Sequence, residues 1–216
     1  MTKARQLVVI LGCSLLIAGF HLPRPESNAS FMQMDWSGAV GTGSVYKLES
    51  TTSNRTMEFE IGVAGKERIE DQDGYWLELT THTGQGPMTI KVLWLGQELK
   101  RLIMQRGNND PMEMPAQFLQ QMARTMPQLQ QLQYTRDTLK MKAKLIGRET
   151  VTVPAGTFEC DHYQQLTEGK TLDVWISTDV KPTGLVKMTR PDFTMELIRT
   201  VSGYKSKITK APRKMM

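Results

Sequence analysis

Apolar and polar residues alternate along several stretches of this chain. Met57, Phe59, Ile61 and Val63 alternate with Glu58 and Glu60, and Tyr75, Leu77 and Leu79 with Glu78 and Thr80. Met88, Ile90, Val92 and Trp94 alternate with Thr89 and Lys91 until Leu93 and Leu95 break the pattern. Leu139, Met141, Ala143 and Leu145 alternate with Lys140, Lys142 and Lys144. A period of two marks strands with one apolar and one wet face, so Glu58, Glu60 and Glu78 read as outward positions. Turn residues separate these runs: Asp73 with Gly74, residues 84–87, residues 106–110, Glu168 with Gly169, and residues 190–192. The pattern predicts roughly nine or ten strands joined mostly by hairpins, a number that should curl into a barrel or partial barrel.

One segment follows a different period. Over residues 115–133, Phe118, Leu119, Met122, Met126, Leu129 and Leu132 recur at three- and four-residue spacing, with glutamines between them. This predicts an amphipathic helix that starts at Pro115, is kinked or split at Pro127, and lays its stripe on the apolar face of the sheet.

Residues 147–188 form the most specific stretch. A strand with a Pro154-Ala155-Gly156-Thr157 break runs into a second strand, a turn near Gly169, a strand carrying Trp175, and a turn at Lys181-Pro182-Thr183-Gly184. Pro154 lacks an amide hydrogen and suits a strand end. Gly156 permits a bend, and Val151, Val153 and Phe158 would fill the core beside that corner.

The motif G-x-E-x-V-x-V-P-A-G-T-F, at residues 147–158, resembles that of uncharacterised bacterial exported domains. The meander with its mid-chain helix resembles the LolA/LolB-like and LppX-like half-barrels of bacterial envelopes. The resemblance implies an α+β, mainly antiparallel half-barrel under a helical lid, with an apolar cavity suited to a lipid or acyl chain. No ligand-contact residue of those proteins matches a position here.

The N-terminus adds a compartment. Lys3 and Arg5 precede a mostly apolar run over residues 7–20, Pro23 and Pro25 follow, and Ser27-Asn28-Ala29 offers a cleavage site. This is the layout of a secretory signal over residues 1–29, and the run is shorter than the ~20 residues that span a bilayer. Leu11-Gly12-Cys13 resembles a lipobox, but the run continues past Cys13 and disfavours a lipid anchor there. The expected arrangement is a signal at 1–29, one domain at 30–204, and a basic flexible tail at 205–216. The location is the periplasm or outside the cell. Of two cysteines only Cys160 remains in the body, so no internal disulfide is expected.

The formal charge of +5 is mild. Lys205, Lys207, Lys210, Arg213 and Lys214 run without an acid and suit a solvated terminus or an anionic membrane surface. Export and the lack of interleaved aromatics argue against nucleic acid as a partner. Cys160 and His162, two apart on a strand, are the one nucleophile–base candidate, with a buried thiol and an ordinary histidine as the plainer reading. No metal site, cofactor loop or catalytic motif emerges, and no enzyme activity is expected. Of the 15 methionines, Met112, Met114, Met122 and Met126 cluster on and before the helix, where flexible thioethers suit core filling or an adaptable apolar pocket.

Two functions follow. The first is an envelope protein that binds a lipid, acyl chain or acylated protein through Phe59, Leu77, Trp94, Phe118, Met122, Met126 and Leu129. The second is an accessory periplasmic protein with a filled core that binds another envelope protein.

Overall fold

The computed structural model describes residues 36–83, 86–96, 98–115, 143–167 and 169–214. Among them the chain forms one twelve-stranded sheet. The first half is a meander of β1 (Thr42–Ser50), β2 (Arg55–Ile69), β3 (Gln72–Thr83), β4 (Gly86–Leu95), β5 (Glu98–Arg106) and the short β6 (Met112–Glu113). The second is a meander of β7 (Lys144–Val153), β8 (Gly156–Thr167), β9 (Lys170–Ile176), β10 (Leu185–Arg190) and β11 (Phe193–Ser202). Pairing of β1 with β11 joins the halves, and β12 (Arg213–Lys214) adds to β6 in parallel. The edges of the sheet are therefore β7 and β12.

The alternation explains the registers. Ile61, Leu79 and Ile90 stand side by side across β2, β3 and β4, as do Val63, Leu77, Val92 and Leu102 from β2 to β5. Leu48, Met195, Met188, Val174 and Tyr163 form another row from β1 to β8. At the centre Tyr46 pairs with Phe59 and Leu197, its ring stacked on Phe59 at 5.4 Å between centroids. Burial of each large apolar side chain in such a row contributes roughly 1.5–3 kcal/mol. The β7–β8 corner curls back onto β11, where the Ala155 amide donates to the Leu197 carbonyl at 3.3 Å. Val153 is buried there, and Val151, Ala155 and Phe158 pack beside it, so the Pro154–Gly156 motif is a structural corner. The rows thus line the concave face.

Two expectations need correction. The α+β class with a helical lid does not hold: the described residues are all-β apart from a single 3-10 turn, Ser37–Ala39. The lid rested on Phe118, Met122, Met126, Leu129 and their neighbours, and these lie outside the described residues. Residues 205–214 do not form a loose basic tail either. They cross the convex face, held by contacts that the local sequence does not announce, and end as β12. A smaller shift concerns the turn placed at Asp73 and Gly74, which belong to β3. The chain reverses at Glu70, which takes a positive φ of 53°.

Candidate functional site

The concave face has a buried floor and a half-buried margin. Leu77, Val92 and Leu102 are fully buried, and Phe59, Leu79 and Ile90 nearly so. Around them Tyr75, Met88, Trp94, Leu99, Met104 and Met114 are only partly buried, packed against the same core. Of the sequence-predicted ligand residues, the structure therefore brings Phe59 and Leu77 into the floor and Trp94 into the margin. The other four lie outside the described residues.

Among the described residues, one buried side-chain polar atom lacks a partner, and it lies on this face. Thr81 stands between Phe59 on β2 and Met88 on β4. Its Oγ1 is buried without a hydrogen-bond partner. Such an orphan costs roughly 1–3 kcal/mol until a partner meets it. The other buried hydroxyls described on the face have partners. The Tyr46 hydroxyl donates to the Leu185 carbonyl at 3.0 Å and lies 2.6 Å from Thr183 Oγ1; burial pushes its pKa up to about 12. The Ser44 hydroxyl donates to the Lys181 carbonyl at 2.7 Å. These bonds fasten the 177–184 loop over the β1 end of the face.

The Cys160 and His162 side chains do not form a nucleophile–base pair. Cys160 is fully buried and its Sγ–H points at the Phe158 carbonyl, 3.6 Å away. Burial first, then the charges of Glu159, Glu149 and Asp161, push the thiol up to about 11. His162 has both ring nitrogens engaged, Nδ1 with Glu149 at 3.0 Å and Nε2 with Asp173 at 2.8 Å, while its ring stacks on Trp175 at 4.5 Å. No cluster of three or more metal-ligating side chains occurs among the described residues.

The convex face holds what the sequence reading missed. Glu78 is completely buried. It accepts from the Lys207 amide at 2.8 Å, the Tyr204 hydroxyl at 3.3 Å and the Ser206 hydroxyl, and pairs with Lys91 at 3.4 Å. Lys207 also reaches Glu60, while the exposed Glu58 stays apart from this cluster. The Tyr204 ring lies over Gly43 and Gly62, whose missing side chains make its seat. Burial, then repulsion from Glu78 and Glu60, raises the Tyr204 pKa. Ile208 packs with Trp76, Leu93 and Ile103 in a second small core, which is why Leu93 breaks the alternation of β4. Lys210 and Arg213 pair with Asp110 at 3.4 and 2.7 Å. Three of the five basic residues thus pair with carboxylates of the chain itself.

Fold and site together define a class: an open, curved, antiparallel sheet with an apolar concave face and a back strapped by its own C-terminal segment. No family model matches the chain, and no curated protein matches it. Among solved structures the chain is similar to MucB, solved in complex with MucA(peri), at 10% identity and a TM-score of 0.39. That likeness covers 76% of this chain and 51% of MucB, about half its length. It is also similar to a protein from Bacteroides fragilis described as exported with a YmcC-like fold, at 12% identity and a TM-score of 0.37, covering 74% and 95% of the two chains. A protein from Parabacteroides distasonis described as a lipoprotein follows, at 11% and 0.33, covering 79% and 97%. At these scores the likenesses carry no argument about this chain.

Proposed function

We propose that this is a non-enzymatic protein of the bacterial envelope that binds an apolar chain, such as an acyl group, on the concave face of its sheet. The leader-like N-terminus supports the compartment. The observation that carries the binding reading is the half-buried apolar margin of Met88, Trp94, Leu99, Met104 and Met114 around a buried floor. Flexible thioethers beside a rigid indole form a surface that adapts to apolar partners of varied shape. The convex side is occupied by the C-terminal segment, which leaves the concave side for a ligand. Affinity would come from buried apolar area at roughly 25 cal/mol per Å², with the Thr81 hydroxyl as a polar contact.

Trp94 provides the test. Titration with a fatty acid carrying a doxyl quencher on its chain should quench tryptophan emission saturably, and Trp94→Phe should remove most of that quenching. Absence of saturable quenching, or equal quenching in the variant, sinks the reading.

A further inference from the structure

The two edges of the sheet are treated differently. One ends in β6 and β12, two residues each, beside Pro111 and Pro115 and clamped by the Arg213–Asp110 pair. The other is β7, ten residues long, with residues 144–150 exposed. A register shift at Ile146 interrupts its pairing with β8, but residues 147–153 run in unbroken register. Among the described residues no strand lies on its outer side, and an edge of that length is a template for another strand, which natural sheets ordinarily guard against.

We infer that β7 pairs antiparallel with β7 of a second copy of this chain, centred on Thr150. The register decides the occupant. A two-fold axis normal to the sheet must set one residue opposite itself. Centring on Arg148 or Glu149 sets like charges face to face, which destabilises a ladder. Centring on Thr150 overlaps the whole of residues 147–153, with Thr150 against Thr150, Arg148 against Thr152 and Glu149 against Val151. Threonine pairs are favourable cross-strand neighbours, and no like charges meet. The same register brings Ile146 against Pro154 of the second copy. This gives cover to Ile146, which is 46% exposed. A single strand pair buries less than a standard interface of roughly 1,600 Å², so the dimer is weak and concentration-dependent. This inference does not depend on the apolar-ligand reading.

The test uses the full chain with Cys13→Ser. Sedimentation should show a monomer–dimer equilibrium, and Thr150→Arg, which sets two guanidinium groups opposite each other, should weaken dimerisation about tenfold or more while the monomer, melted in dilute solution, stays folded. Thr150→Cys should cross-link to itself on mild oxidation, because paired residues sit about 4.5–5.5 Å apart. Thr152→Cys should not, since its own copy lies four residues along, about 13 Å away. A chain that shows no dimer up to about 1 mM, the weak end of the affinity scale, overturns the inference and leaves the edge to a foreign strand. A dimer that tolerates Thr150→Arg, or cross-linking that is equal at 150 and 152, overturns the register.

Discussion

Gly62→Ala isolates what holds the C-terminal segment to the convex face. Gly62 pairs with Gly43 on β1 and Glu78 on β3. On conformational grounds alone, alanine in a strand interior stabilises by roughly 0.5–1 kcal/mol over glycine. The structure reverses that sign. A Cβ at Gly62 would lie 2.4–2.5 Å from three atoms of the Tyr204 ring, where real Cβ contacts essentially never fall under 3.0 Å. The ring cannot slide, because the Tyr204 hydroxyl, the Ser206 hydroxyl and the Lys207 amide are all tied to Glu78. Overpacking of this kind costs about 1–3 kcal/mol, and displacing the ring adds lost burial and weakened hydrogen bonds to a buried carboxylate. The expected net loss is about 2–3 kcal/mol, a fall in melting temperature of roughly 5–10 °C for a chain of this size. Thermal and urea unfolding followed by circular dichroism read it. Tyr204→Ala alone should cost about 3 kcal/mol. In that background Gly62→Ala should become neutral or mildly stabilising, because the clash has gone. A Gly62→Ala protein as stable as the parent, or additive losses in the double variant, would refute the seating of Tyr204 on Gly62.

Three further outcomes follow from particular side chains. Thr81→Val replaces an unpartnered buried hydroxyl with a methyl group and should stabilise the apo protein by about 1 kcal/mol, read by urea denaturation. With Cys13→Ser, Cys160 should stay unreactive to a disulfide reagent at pH 8, where burial keeps the thiol protonated, and react fully on unfolding in guanidinium; rapid native labelling would contradict its environment. Asp192→Asn breaks a bidentate bond with the buried Arg190, at 2.6 and 2.8 Å, and should cost about 1–2 kcal/mol near pH 7. The Arg190 hydrogen bonds hold the Asp192 carboxyl below its ordinary value. The pair's contribution is therefore complete above the ordinary carboxylate value and drains away as pH falls through the lowered one, so parent and variant should converge in acid.

The sequence was legible over most of β2 to β4, where one face is wet, although the alternation also set Met57 and Leu145 inward and both are exposed. The runs through Phe59, Leu77 and Ile90 name β2, β3 and β4 and their inward residues, because a single buried face imposes a period of two. It was illegible where a distant segment covers the second face. Glu78 obeys the polar half of the alternation and yet is buried, since Tyr204, Ser206 and Lys207 come from more than a hundred residues away to pair with it. The local signals were Trp76, Leu93 and Ile103, apolar residues at outward positions that needed a partner and found Ile208. Lysines hid the strap, because a basic run without acids reads as solvated until its carboxylates are seen. Two-residue spacing put Cys160 and His162 on one strand face, but spacing does not reveal that Glu149 and Asp173 occupy the imidazole.

Native mass spectrometry of the protein recovered from the envelope of cells expressing the full chain, followed by solvent extraction, tests the central claim most directly. The account predicts an added lipid or acyl mass that denaturation releases. A clean apo mass, unchanged after incubation with mixed lipid vesicles, would contradict it.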